Sequence, residues 1–250
     1  MEAARLASVD AELDRDNRSL GAATPEEVID WAVARHGTGL VASTSFGATS
    51  AVMLHLVSRV APGTPIICVD TGYLFPETYR FAADLIQRLS LDVRFYSASM
   101  TAAHQEALYG NLWEQGEEGV KRYLQINKVE PMQRALSELG ATAWIAGLRA
   151  EQTQHRAGLR RIDLQDGRVK IHPILDWSSE DMDAYLTEHE LPYHPMVDQG
   201  YRSIGDYHST IPTTADMDPR DGRILGKTRE CGLHLPLTEE QNQSLKSSGL

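Results

Sequence analysis

The sequence predicts an α/β fold: a doubly wound, mostly parallel sheet with helices on both faces. Two observations lead there. Short runs alternate with helical stretches from residue 39 to residue 147, and the runs themselves are apolar enough to be covered on both sides. A third is size, since 250 residues with 42% hydrophobic content supply one large core without help from disulfides or metal.

Each element has its own signal. Residues 3–14 are weakly helical and read as an N-terminal arm or a packing helix. A firmer helix begins after Thr24, which caps it. Pro25 fills the first turn, Glu27 completes a capping box and Gly37 stops it. Val28, Trp31, Ala32 and Arg35 share one face, the face expected to pack. Strands are expected at 39–43, 66–70, 93–97 and 142–147, with helices at 48–60, from Pro76 onward, and through the middle region 102–140. Beyond Arg149 the pattern changes. Asp166-Gly167 between two strand-like runs, 161–165 and 168–173, is a hairpin signal, and Ser178 caps a short helix ending near His189. Polar and turn residues dominate afterwards. The chain therefore divides into an α/β domain at 1–190 and an extended, mobile C-terminal segment at 191–250.

Composition removes several function classes. A net charge of −11 argues against a general nucleic-acid binder, although a local basic pocket can still hold a small anion. Residues 1–21 carry acids and no apolar stretch, unlike a secretory signal, and no run approaches the length of a membrane helix. The cytoplasm is the expected compartment. The two cysteines, Cys68 and Cys231, are too few for a disulfide framework, and no zinc-ligand spacing appears.

Ligands of open α/β sheets bind beyond the C-terminal strand ends, so the residues there are the candidates. After the first strand, Ser43-Thr44-Ser45-Phe46-Gly47 leads into a helix; it suits a phosphate or sulfate and equally an ordinary Ser-capped loop. After the second, Asp70 and Thr71 suit a ribose hydroxyl and a phosphate, or a plain helix entry at Pro76. After the fourth come Gly147, Arg149, Gln152 and Arg156. Residues 149–161 hold four arginines against one acid, a cluster whose place at a strand end favours anion binding over a solvated turn. Near the C-terminus, Cys231 has Lys227, Arg229 and His234 close by, which favours a reactive thiolate. Cys68, inside Ile-Ile-Cys-Val, reads as inert packing.

Together these segments resemble the phosphoadenylyl-sulfate reductases of assimilatory sulfate reduction. The resemblance rests on Ser-Thr-Ser-Phe-Gly at 43–47, Asp-Thr-Gly-Tyr-Leu-Phe-Pro-Glu-Thr at 70–78 and Leu-Trp-Glu-Gln-Gly at 112–116. It continues through Asn-Lys-Val-Glu-Pro at 127–131, Gly-Leu-Arg-x-x-Gln at 147–152, Gly-Tyr-x-Ser-Ile-Gly-Asp at 200–206 and Glu-Cys-Gly-Leu-His at 230–234. It implies an adenine nucleotide α-hydrolase-like fold, with a nucleotide-binding domain and an altered phosphate loop. Thr44 and Ser45 stand where ATP-using relatives carry glycines, and the following aspartate is absent. A sister group that uses adenylyl sulfate holds an iron–sulfur cluster on four cysteines. The matching positions here are Tyr123, Leu124, Asp206 and Ser209, so a Cys₄ cluster has no ligands and no bound cofactor is expected.

The resemblance further implies the chemistry. The Cys231 thiolate attacks the sulfate sulfur of 3′-phosphoadenylyl sulfate, the nucleotide leaves, and an S-sulfocysteine forms. Lys128, Arg149 and Arg156 would hold the anionic groups; Ser43, Ser45, Phe46 and Gly47 would form the loop; Asp70 and Thr71 would lie near the nucleoside. Gly147, Gln152, Tyr201 and His234 complete the expected contacts. Resolution needs a second thiol, which buried Cys68 cannot supply, so thioredoxin or glutaredoxin is the expected reductant. A homodimer is expected by the same resemblance. Three alternatives stand beside this reading: a cluster-free reductase of adenylyl sulfate, an ATP-binding nucleotidyltransferase relative, and a non-catalytic nucleotide binder.

Overall fold

In the computed structural model of the protein, residues 2–214, 216–223, 232–238 and 241 are described, with side chains from residue 10 onward. The chain opens with α1 (Glu2–Ser19) and α2 (Pro25–His36), then alternates through β1 (Leu40–Thr44), α3 (Ser50–Val60), β2 (Ile66–Val69), α4 (Pro76–Leu89) and β3 (Val93–Tyr96). A helical stretch follows: α5 (Ala102–Tyr109), α6 (Gly116–Leu124) and α7 (Glu130–Glu138), the last two joined without a break by a π-helical turn, Gln125–Val129. Then come β4 (Ala143–Ile145), the single turn α8 (Gln154–Ala157), the hairpin strands β5 (Ile162–Gln165) and β6 (Arg168–Ile171), and α9 (Ser179–Glu188).

The six strands form one sheet in the order β3-β2-β1-β4-β6-β5, parallel throughout except for the β5–β6 hairpin. The sequence shows the hairpin itself but not its role in the sheet. β6 pairs in parallel with β4 through Ala143–Val169 and Ile145–Ile171, so the hairpin extends the sheet. Asp166 and Gly167, with φ of 51° and 78°, make the tight turn that such a hairpin needs.

Strand side chains alternate between two cores, which is why the strands read as continuously apolar. Leu40 and Ala42 of β1, Ile66 and Cys68 of β2, and Ala143 and Ile145 of β4 face a large cluster built with α2, α3, α4 and α9. Val41, Ile67 and Trp144 face the other way, against Met132, Ala135 and Leu136 of α7. The capping box at Thr24 forms in both directions, with Glu27 N donating to Thr24 and Thr24 N donating to Glu27. On α2, Val28, Ile29 and Ala32 are buried, while Arg35 reaches out to pair with Glu12 of α1.

The start of the C-terminal segment is packed against this body. Leu191, Met196 and Ile204 are buried, and His194 bonds to Thr78 across 3.0 Å. No helix among the described residues is long and apolar enough to cross a membrane.

Candidate active site

The strand order reverses beside β1, with β2 on one side and β4 on the other. Loops leaving neighbouring strands in opposite directions open a crevice there, the usual ligand position of such sheets. A cavity of about 880 Å³ lies among residues that follow these strand ends. Its walls include Ser43, Ser45 and Gly47 after β1, and Gly147, Arg149, Gln152 and Arg156 after β4. Lys128 enters from the π-turn, and His234 from the C-terminal end. Nine of the expected contacts thus meet in one place.

The β1 loop owes its shape to Phe46. Its φ of 46° is left-handed, unusual without glycine, and its ring is fully buried and stacked on Phe95 at 6.4 Å. The Phe46 amide donates to Thr44 Oγ1 at 3.1 Å, and Trp144 Nε1 donates to Ser43 Oγ at 2.6 Å. The Phe46 side chain is therefore an anchor behind the loop rather than part of the cavity wall. α3 begins at Ser50, two residues later than the sequence suggests, and the buried Ser50 hydroxyl on the cavity wall has no hydrogen-bond partner among the described residues.

On the β4 side the two arginines are held by short polar links. Arg149 Nη1 pairs with Glu151 and lies 3.4 Å from Ser179 Oγ, which itself donates to Glu151 at 2.6 Å. Burial works to raise the Glu151 pKa, but Ser179 and Arg149 together lower it. Arg156, buried, donates to Gln152, whose Oε1 also accepts from the Arg149 amide at 3.2 Å.

Three further expected residues stand off the wall. Asp70 accepts from Gly72 N and Tyr79 Oη, at 2.8 and 2.7 Å, and so shapes its own loop. Thr71 is buried and donates to Asp206 Oδ1 at 2.6 Å. Tyr201 packs edge-on against Phe75, with ring centroids 5.6 Å apart. Hydrogen bonds hold the first two side chains and ring packing holds the third, each from outside the cavity lining.

Arg202, Ser203, Arg220 and Arg223 also line the cavity, and the sequence reading missed them as contacts. Polar turns show no periodicity, so nothing local marks them.

Cys231, Lys227 and Arg229 lie outside the described residues, but the chain immediately after Cys231 does not. Gly232 has φ 82°, and Leu233 and His234 line the cavity. His234 stacks on Trp144 at 5.4 Å, and Lys170 Nζ sits 4.4 Å from the same indole ring. Burial first, then the positive charges of Lys170 and Arg156, hold His234 well below the ordinary histidine pKa. A neutral imidazole is poorly suited to lowering a neighbouring thiol pKa by charge. Gln165 Nε2 donates to the carbonyls of Leu233 and Leu235, at 3.1 and 2.9 Å, and Leu237 N donates to Asp166 Oδ1 at 3.0 Å. The hairpin turn thus clamps residues 233–237. Cys68 differs sharply: it is fully buried in β2, and burial together with Asp70 pushes its thiol up to about 12.

Fold and site define a doubly wound α/β protein with a cation-walled cavity at the strand-order switch. A model of the phosphoadenosine phosphosulfate reductase domain matches residues 39–212. A Synechocystis protein named phosphoadenosine 5′-phosphosulfate reductase is 55% identical over 230 residues, covering 91% of this chain and 92% of its own. One of the same name from Alkalilimnicola ehrlichii is 51% identical over 223 residues, covering 89% and 91%. The crystal structure of phosphoadenylyl-sulfate reductase from Candida auris, a phosphate complex, superposes with a TM-score of 0.70 at 33% identity, over 80% of this chain and 96% of that one. The chain belongs to the phosphoadenosine phosphosulfate reductase family. The FMN adenylyltransferase of Candida glabrata, at TM-score 0.53 and 15% identity over 96% and 81%, shares the fold alone.

Proposed function

We propose that this chain reduces 3′-phosphoadenylyl sulfate to sulfite and adenosine 3′,5′-bisphosphate, with Cys231 as nucleophile. The observation that carries the reading is the convergence of Leu233 and His234, two and three residues beyond Cys231, on a cavity walled by Lys128, Arg149, Arg156, Arg202 and Arg223. The names of the relatives support the same substrate.

The Cys231 thiolate attacks the sulfate sulfur. The S–O bond to the nucleotide breaks, its electrons go to the 5′-phosphate, and S-sulfocysteine forms on Cys231. Lys128 and the arginines hold the anionic groups and stabilise charge developing on the leaving oxygen. One thiolate of an external dithiol then attacks Cys231 Sγ and expels sulfite with the bonding pair. The second thiol resolves the mixed disulfide, returning Cys231 to the thiol form and oxidising the dithiol. Thioredoxin or glutaredoxin is the proposed donor, sulfate assimilation in the cytoplasm the proposed setting, and a homodimer the proposed assembly. No bound cofactor takes part, and two cysteines cannot furnish a Cys₄ iron–sulfur site.

Mass spectrometry of the protein mixed with nucleotide in the absence of reductant tests this. The expected product is a single sulfonate adduct on the peptide containing Cys231, formed from the 3′-phosphorylated nucleotide and not from adenylyl sulfate. Sulfite release by Cys231→Ser at the wild-type rate would falsify the proposal. Equal adduct from both nucleotides would transfer it to the wider substrate range.

A further inference from the structure

Among the described residues Lys128 is the one lysine on the cavity wall, and it is not a free side chain. It sits on the π-turn, whose extra residue per turn alters the direction in which its side chains project. That turn is pinned from behind: Asn127 and Gln105 exchange a pair of amide hydrogen bonds, each 2.9 Å, and Asn127 also donates to Tyr123 O at 3.2 Å. From this rigid base the Lys128 ammonium reaches Asp206, with Nζ 2.8 Å from Oδ2 and both side chains almost wholly buried.

Asp206 is itself fixed on several sides. Thr71 donates to its other oxygen at 2.6 Å. Its backbone is bridged to Leu74, and the next amide, Tyr207 N, donates to Tyr73 O at 2.8 Å. Burial would raise its pKa, but Lys128, Thr71 and Arg223 outweigh that and lower it to about 2, so it is a carboxylate at neutral pH. The Tyr123 hydroxyl, 3.2 Å from His208 Nε2, belongs to the same group. Asp206 does not line the cavity; only its partner does.

A lysine ammonium on a four-carbon stem has costly rotational freedom, and a charge stabilises a transition state best when it need not reorganise. We propose that Asp206 is a positioning residue for the reaction: it acts through Lys128, fixing the ammonium at the cavity wall, while Thr71 fixes the carboxylate. This rests on the function proposed above. It assigns a catalytic consequence to an ion pair that would otherwise be a neutral or costly structural feature of the interior.

The test is a double-mutant cycle on the full chain. Asp206→Asn keeps the shape but removes the charge; Lys128→Ala removes the group it acts through. The readouts are kcat for sulfite release from 3′-phosphoadenylyl sulfate with excess dithiol, and the dissociation constant of adenosine 3′,5′-bisphosphate. Asp206→Asn is expected to lower kcat by roughly tenfold or more while changing the dissociation constant less than about threefold. In the Lys128→Ala background it should change kcat by less than about twofold. A full, multiplicative loss in that background overturns the proposal, because it means a purely structural role. So does a kcat for Asp206→Asn equal to wild type. Should Asp206→Asn fail to fold, Thr71→Val and Lys128→Ala make the same cycle, with a smaller single loss expected and the same coupling. An unmutated protein that releases no sulfite removes the functional reading and this inference together, whereas an active wild type with an uncoupled Asp206 removes only the inference.

Discussion

His172 shows how strongly one side chain is committed by its surroundings. It is fully buried; Nδ1 bonds to the Arg160 carbonyl at 2.8 Å, and Nε2 has no hydrogen-bond partner among the described residues. A carbonyl can only accept, so Nδ1 carries a proton, and burial disfavours a second one on Nε2. Burial lowers the pKa to about 4 from the ordinary 6.5, with the Lys170 charge assisting. The unfolded chain therefore binds this proton first. Stability is unchanged by His172 above pH 6.5 and falls as pH drops from there toward 4, by up to about 1.4 kcal/mol per pH unit. Denaturant melts at pH 7, 6 and 5 should show that fall, and His172→Asn should make it shallower. Parallel losses in both proteins would mean that the imidazole is not held neutral. Residues of this kind were invisible in the sequence, where His172 is simply a histidine ahead of Pro173.

Among the elements, the β5–β6 hairpin does more than its sequence signal suggests. Asp166-Gly167 announced a turn, and a turn is there. What no local pattern announced is that Gln165 and Asp166 would hold residues 233–237, nearly seventy positions away. The sequence alone predicts an extended, mobile C-terminal segment. The described part beyond Cys231 makes three hydrogen bonds to the hairpin, and Leu233 packs onto the α7 core. Any excursion of Cys231 toward a reductant must then either break this clamp or pivot on the other side of the cysteine. Gln165→Ala removes two of the three bonds. Proteolysis within residues 232–238 should accelerate by about fivefold, with the thermal midpoint of the body little changed, since a local opening costs less than global unfolding. Unaltered cleavage would show that the clamp carries no weight.

For the whole molecule, the contrast of charge is what needs explaining. Among its described residues, a chain of net −11 concentrates five arginines and a lysine around one cavity. Glu151, Asp183 and Asp218 share that wall and Asp206 pairs with Lys128, yet the cations outnumber these carboxylates, so an anionic ligand should be favoured there. Adenosine 3′,5′-bisphosphate at a hundred times its dissociation constant should therefore stabilise the fold by about 2.7 kcal/mol, read as a rise in thermal midpoint. Adenosine at the same concentration should give little, and high salt should shrink the bisphosphate effect. A shift of equal size with uncharged adenosine would place the binding energy in the base rather than in the phosphates.

The sequence by itself determined the order of strands and helices, the caps at Thr24 and Ser178, the hairpin turn, and the loops that carry Ser43, Arg149 and Gly147 to strand ends. These are local matters, fixed by periodicity and turn chemistry within a few residues. Only the tertiary structure decided that Phe46 and Thr71 would turn inward, that Arg202 and Arg223 would join the cavity, and that Asp206 would meet Lys128. Those outcomes depend on groups far apart in the chain, brought together by packing. A charge or hydroxyl acquires its role from the partner that burial forces upon it, and that partner is not written beside it.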